Sequence, residues 1–479
     1  MTTTYSLFGL GTQSKSSNFT AAKRLNCYYD LQKTGDKANV VAYGTPGLTE
    51  FMQISESKIS GIHYVEKSDR LFIVQGQILY RVKNDGTYAV RGTLNEVPGS
   101  YVGMANNGNQ VAIFDGIYAY IWDINTSTFT DITASLPWIT TPGTDLAGNS
   151  VTFLDGRLIA RRPGTGQFYM SGLYDGLTWG ALDFATAENL PDQLVDVMAD
   201  KGNLALIGSL SVEIWANVGD PVFQYQRVNA TPTDGGCAAR WSLQKCKSSI
   251  TGLFRNKAGA LSVCILDGYQ LIPISDFDMD YIINGYSSTS DAVGYSYVLN
   301  GRQFYQISFP TEQKTWLYDF ESQCWSQLKS QYSNRHYGDI GTSYNQMLFV
   351  TDYRNGKLYT LDVNNYTDNG DRIEREIIGT HLSVPSMNYS IINRLRVDCE
   401  TGTGSPTLNP QLMLSISRDY GHNFGNEMWQ NMGKSGEYTK RCEWRRLGKA
   451  RDWVFKLRMT DNTKFAIIGA VAEAKELNK

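Results

Sequence analysis

Three stretches carry residues whose types and spacing suit chemistry. In Ser417–Gly425, SRDYGHNFG, the spacing S-x-D-x-G-x-x-F marks a hairpin turn. Ser417 opens it, Asp419 is placed to accept backbone N–H bonds, Gly421 permits a positive φ, and Phe424 pins the hairpin to the core. In SDFDMDY, Asp276, Asp278 and Asp280 fall on one side of a strand, where three carboxylates suit Ca²⁺. No D-x-D-x-D-G loop with a downstream Glu follows, so a solvated acidic patch is the favoured reading. If that patch lines a channel, it repels DNA phosphates. The third stretch, residues 434 to 459, holds nine basic residues against three acids. Lys440, Arg441, Arg445, Arg446, Lys449 and Arg451 are its dense part, and guanidinium forks there suit an acidic partner or a neighbouring subunit. The plain alternative is a solvated edge strand that charge protects from aggregation.

The turn motif is close to the Asp-box of sialidases and other sugar-cleaving propellers. It is structural even there, and such enzymes repeat it over several blades. Here one good copy stands near the C-terminus, with SGLYDGLTWG (171 to 180) as a degenerate relative. A sialidase also needs three arginines on a carboxylate and a Tyr–Glu pair, a convergence that no local pattern displays. The four histidines, His63, His336, His381 and His422, stand alone, and GTGQFYMSG lacks the strand–loop–helix context of a phosphate loop. No catalytic residue, metal site or cofactor is expected.

Charge and composition narrow the class. The 44 Lys plus Arg against 47 Asp plus Glu give a net charge of −3, so no global field draws the chain onto nucleic acid or an anionic membrane. The start, MTTTYSLFGLGTQSKSSNF, lacks a basic region followed by an apolar one, and no apolar run approaches the length of a membrane span. The expectation is a soluble protein, without membrane insertion, unexported by the general signal route. Seven widely spaced cysteines with no C-x-x-C suggest neither a disulfide framework nor a zinc site.

The elements that must position these residues are strands. With 29 Tyr, 19 Phe, 10 Trp and 45 Gly against 13 Pro, the composition suits short strands joined by tight turns. Alternating runs broken by turn signals recur in 61–90, 102–133, 150–172, 195–217, 248–275, 294–328 and 338–363. Units at this spacing predict an all-β fold with a six- or seven-bladed β-propeller over 56 to 376. A pair of β-sandwiches is the competing architecture. Residues 377 to 479 predict a small β-sandwich-like domain, with INRLRV, LMLSIS, DWVFKLRM and FAIIGAVAEA as strands. Residues 1 to 55 lack the blade rhythm and are expected to pack on that second domain.

With these residues in view, the chain resembles the packaged-DNA stabilisation proteins, the tail hub or nozzle proteins of short-tailed bacteriophages. The C-terminal signature carries the resemblance through Tyr438, Arg441, Trp444, Arg445, Arg446, Leu447, Gly448 and Arg451, then Phe455 to Arg458. RLNCYYD, YGTPGLTEF, MANNGNQVAIFDG, AENLPDQLVDV and GSLSVEIWANVGDPVF agree with it. Tyr420 departs from the family's usual Gly in the turn.

The resemblance implies a structural virion protein. It implies a six-fold ring that extends the tail channel below the head-to-tail adaptor, retains packaged DNA and lets double-stranded DNA pass without sequence recognition. A needle or plug protein is implied beneath the ring and tailspikes or fibres beside it. A carbohydrate-binding receptor protein, a glycan hydrolase and a generic interaction scaffold remain as alternatives.

Overall fold

The computed structural model describes residues 2–5 (backbone only), 8–12, 14–31, 39–187, 190–220, 223–228, 233–344, 347–384 and 386–477. Of the stretches quoted above, Met1, Ser6–Leu7, Gln13, Glu188–Asn189, Pro221–Val222 and Asn345–Gln346 lie outside them.

Alternating apolar and polar residues give strands with one buried face, and two-residue turns such as Asp155-Gly156 (φ 49° and 82°) and Asn300-Gly301 (φ 50° and 81°) reverse them. Each sheet is a meander. The first runs Ile59–Val65, Arg70–Gln75, Ile78–Val82 and Tyr88–Thr93; the second Gly103–Asn106, Gln110–Phe114, Ala119–Asp123 and Thr128–Asp131. Five more follow, starting at Val151, Leu194, Gly236, Val293 and Gly338, so seven sheets succeed one another among the described residues.

A meander cannot bury both faces by itself, and its neighbours supply the cover. Seven apolar clusters each lie between consecutive sheets, and the last, with Ile59, Leu71 and Phe349, joins the seventh sheet back to the first. The result is a closed propeller, and each sheet is one blade.

The closing strand comes from far away in the sequence. Gly47–Gln53 pairs antiparallel with Lys357–Asp362 and completes the seventh blade. The boundary expected at residue 55 is therefore corrected. Leu48, fully buried, binds this strand to the propeller, while Cys27–Leu31 and Val40–Gly44 pair into the second domain.

That domain is a two-sheet sandwich. One sheet has the order Cys27–Leu31, Val40–Gly44, Ala466–Glu476, Ser390–Cys399, Cys442–Ala450, with Thr2–Tyr5 beside Ala466–Glu476. The other holds Arg375–Ile378, Asp452–Met459, Gln411–Ser417 and Met428–Asn431. Trp453, Phe455 and Leu457 fill the space between them with Leu395, Ile467 and Trp444. The indole of Trp453 donates to Ser390 Oγ at 3.0 Å, so its one polar atom is satisfied inside the core. All seven cysteines are buried and none forms a disulfide; Cys399 and Cys442 bring their sulfurs to 3.6 Å on neighbouring strands.

The two domains share a sheet. Lys23–Leu25 pairs in parallel with the outermost strand of the sixth blade at Leu25 and Gln327, and antiparallel with Arg375–Ile378. Blade and sandwich thereby form one ten-stranded sheet. Buried Arg24 donates to the Trp325 carbonyl through Nε (3.0 Å) and Nη2 (2.7 Å), and Asn26 Nδ2 reaches the carbonyls of Lys329 (2.9 Å) and Glu374 (2.8 Å).

The expectation of a strand carrying Asp276, Asp278 and Asp280 on one side is overturned. Phe277–Asn284 is an α-helix, the only one among the described residues, and Asp276 is its N-cap, accepting from Met279 N at 2.7 Å. Asp278 and Asp280 fall in its first turn, where carboxylates suit the helix dipole.

Candidate functional site

The basic stretch lies on the outermost strand of a sandwich sheet. Along Cys442–Ala450, Cys442, Trp444, Leu447 and Ala450 face the core, and Glu443, Arg445, Arg446 and Lys449 face out. A bulge opposite Ile392 and Arg394 interrupts the alternation. Arg446 sits in it at φ 59°, a left-handed conformation that keeps its side chain exposed while Leu447 returns to the core. Lys440, Arg441, Arg445, Arg446, Lys449 and Arg451 are all exposed.

Glu443 is shared between Arg445 and two arginines of the neighbouring strand Ser390–Cys399. It accepts from Arg445 Nε at 2.6 Å and Arg396 Nη2 at 3.0 Å, with Arg394 at 3.7 Å. The Arg445 hydrogen bond, then that of Arg396, holds its carboxyl below the usual range. Lys449 and Arg451 flank the Tyr389 ring at 4.4 and 4.7 Å. Lys440, Arg441 and Arg446 have no ion pair among the described residues. The strand thus has its edge, three free cations and an aromatic facing solvent.

The turn at Ser417 is closed on itself. Ser417 Oγ donates to Asp419 Oδ1 (2.6 Å) and accepts from Gly421 N (2.9 Å), while Asp419 accepts from Asn423 N (2.9 Å) and Nδ2 (2.8 Å). These bonds, the Ser417 hydroxyl foremost, pull the Asp419 carboxyl down to about 2. Tyr420 takes φ 61°, and Gly421 follows at φ 84°. A Cβ on Gly421 would stand 2.6 Å from Ala21 Cβ, so the turn is pressed against the N-terminal segment. The expectation that Phe424 reaches the core is corrected. It is half-buried, and its ring lies under the Lys456 ammonium at 4.8 Å. The turn is a fully satisfied fold element. Ser417→Ala is expected to cost about 1–2 kcal/mol in urea unfolding, because the Gly421 N–H and the Asp419 carboxylate lose a buried partner.

The acidic residues of the helix are also engaged. Asp276 Oδ2 accepts from the Thr12 hydroxyl at 2.7 Å, and Asp280 accepts from Ser262 (3.0 Å) and Ser275 (2.5 Å). Asp280 has its carboxyl raised, by burial first. Among the described residues no group of three His, Cys, Asp or Glu is placed to hold a metal ion, and no helix is long and apolar enough to cross a membrane.

A family model described as "Bacteriophage P22 Gp10, beta-propeller" matches residues 5–366, and a second, "Bacteriophage P22 Gp10, beta-sandwich", matches 374–475. The chain belongs to this family. A curated relative, "Tail hub protein gp10" of Salmonella phage P22, is 21% identical over 328 residues, covering 67% of this chain and 68% of that protein. Solved propellers give weaker likenesses. Virginiamycin B lyase from Staphylococcus aureus is 9% identical with a TM-score of 0.43, covering 66% of this chain and 98% of its own. The Cps50 (Swd1) propeller domain of Myceliophteria thermophila is 10% identical with a TM-score of 0.43, covering 66% and 100%. Neither carries weight at those scores. The protein is a structural tail hub of a short-tailed phage, a virion component that assembles with other parts of the tail.

In this tail hub the innermost strands of the blades line a funnel of ≈ 460 Å³. Its floor is filled. Tyr101, between the first and second blades, meets Trp241 of the fifth across the axis, with ring centroids 5.4 Å apart. The Arg240 guanidinium lies over the Trp241 ring at 3.9 Å and 3.5 Å from Asp196. On the other side Asp339 accepts from Tyr101 OH (2.7 Å), Lys58 (2.9 Å) and Arg335. His63 also lines the funnel, and burial pushes its imidazole down to about 4. The lining includes one arginine and no glutamate.

Weighing the basic stretch against whole-chain charge missed an opposite sector of the tail hub. Residues 92–200 hold twelve acids against three arginines, a net of −9, so the remainder of the chain carries +6. Counting by segment exposes it; a total of −3 does not.

Proposed function

We propose that six copies of the tail hub close into a ring below the head-to-tail adaptor, continue the DNA channel, hold the packaged genome and release it on infection. The needle or plug protein sits beneath this ring and the tailspikes or fibres beside it. The observation that carries the reading is the basic sandwich edge, a strand with free cations and no covering partner in a chain of slight negative charge. An open strand edge in a stable protein asks for cover or charge, and here it has charge suited to an acidic surface.

The DNA path in this reading is the hole that the ring encloses, because Tyr101, Trp241, Arg240 and Asp339 fill the propeller axis. A conduit must avoid holding DNA, since each phosphate neutralised adds affinity. Of the carboxylates expected to line the channel, Asp276 and Asp280 are engaged within the subunit, which leaves Asp278 to face passing phosphates. The reading assigns the protein a structural role, and glycan cleavage finds no support in the funnel, whose lining includes one arginine and no glutamate.

Light scattering after size exclusion tests the ring. The purified chain is expected to be monomeric alone, since no long apolar stretch marks an obligate interface, and to add six copies to the adaptor-capped portal of the same phage. A stable hexamer without partners would refute templated assembly, and no addition under any condition would refute the ring.

A further inference from the structure

We propose that the contact between neighbouring copies joins the basic sandwich edge of one tail hub to the outer rim of the second and third blades of the next. This rests on the ring reading above. A head-to-tail ring needs two different patches per subunit, and they must be complementary to each other.

The rim has the right charge. Of the eleven described acids in residues 92–200, Asp196 alone has an ion-pair partner among the described residues. The three arginines are half-buried and bound within the subunit: Arg157 to the Ser171 carbonyl (2.6 Å), Arg161 to the Leu194 carbonyl (3.2 Å), Arg162 to Gln167 (3.0 Å). Glu96 and Asp131 are exposed and close enough to Tyr118 for both to raise its hydroxyl pKa, after burial. Neither has an ion-pair partner among the described residues.

The rim also has apolar anchors. The hairpin that the sequence offered as a degenerate turn motif leaves Leu173 (61% exposed), Tyr174 (59%), Leu177 (41%) and, just beyond, Leu182 (87%) in solvent. Asp175 closes that hairpin internally, accepting from Leu177 N and the Thr178 hydroxyl, so its role is to present these side chains. Four large apolar groups within ten residues form a contiguous segment of the kind that marks a protein contact.

The sandwich edge supplies the counterpart. Beside Lys440, Arg441 and Arg446 stand Tyr438 (73% exposed) and Trp429 (57%). Trp429 belongs to the neighbouring strand Met428–Asn431, which the Trp444 indole ties down through the Met428 carbonyl at 2.9 Å. Aromatic side chains among guanidiniums are the composition of interface hot spots. The two patches also lie on opposite sides of the subunit. The sandwich grows from the outer strand of the sixth blade, and in a circle of seven the third blade stands across the axis from the sixth and seventh.

Paired charge reversal on the adaptor-capped portal tests the contact. Lys440→Glu with Arg441→Glu and Arg446→Glu, or Glu96→Lys with Asp183→Lys, is expected to raise the protein concentration needed for ring addition at least about tenfold. Joining both sets in one chain is expected to restore it, and Leu182→Ser alone to weaken it. Melting curves near wild type show that each variant folds. Normal addition by either single set overturns the proposal while the ring reading stands. Loss by both sets without rescue also overturns it, and assigns the basic edge to the adaptor. If the wild-type chain adds no ring, both fall together.

Discussion

Gly47→Val unfolds the propeller at far lower denaturant than the parent, with a loss of at least about 3 kcal/mol expected from urea titration followed by tryptophan fluorescence. A Cβ at this position would stand 2.2 Å from the Thr367 carbonyl oxygen, 2.8 Å from that of Asn365 and 2.9 Å from Thr367 N. All three are backbone atoms, so no rotamer change relieves the clash. The strand that begins there closes the circle, and the seventh blade loses its outermost strand if Gly47–Gln53 is displaced. Leu48, buried to 0% exposure, and Phe51, edge-on to Phe349 at 4.9 Å, go with it. Gly99→Ala is the control: nothing lies within 4 Å of its Cβ, and stability is expected to hold. Equal midpoints for the two variants would show that the closing strand is dispensable.

Asp368 contributes stability that is expected to fall as pH rises from about 4 to about 7, opposite in sign to buried His63 and His336, whose imidazoles are pushed down to about 4. It is 1% exposed, accepts from the Ser330 hydroxyl at 2.9 Å, and lies beside the closing strand, where it pairs with Leu48. Burial raises its carboxyl to about 7, against the pull of Ser330 and of the buried Arg375 guanidinium. The unfolded chain releases this proton near 4. Between those values Asp368 binds its proton in the folded state and not in the unfolded one, so its contribution is full below 4 and lost as pH climbs through 7. The loss is on the order of 4 kcal/mol. Asp368→Asn, neutral at every pH, is expected to make the change in unfolding free energy between pH 4 and 7 more favourable than in wild type by about that amount. Superimposable profiles for the two proteins would assign the slope to other groups.

Period-two alternation and Gly turns made the blades legible, because each meander is local: Gln110–Phe114 meets its partners within a few residues. The closing strand was illegible for the opposite reason. Gly47–Gln53 finds its partner some 300 residues on, and nothing in YGTPGLTEF names Lys357–Asp362. Asp276, Asp278 and Asp280 misled because alternation in a short segment suits either period. The decisive signals were present: an Asp at the cap, acids in the first turn, and Gly285 just past the end. At the sandwich edge, type and exposure followed from sequence, since charge on an edge strand is an old protection. The bulge that turns Arg446 outward did not, because it depends on how Ile392 and Arg394 pair across the sheet. Phe424 fell short of the core because it lies against Lys456, whose side chain points away from the interior that Phe455 and Leu457 fill.

The sheet shared by the sixth blade and the sandwich has a mechanical meaning. A flexible linker would let the sandwich swing while the propeller stayed put. Here Lys23–Leu25 is stitched to both sides, and Arg24 and Asn26 clamp the seam from within. Tilting the sandwich therefore means shearing several hydrogen bonds at once, so torque applied at one end arrives at the other nearly undiminished. A molecule built this way behaves as a stiff lever, and in the proposed ring any opening is a rotation of whole subunits.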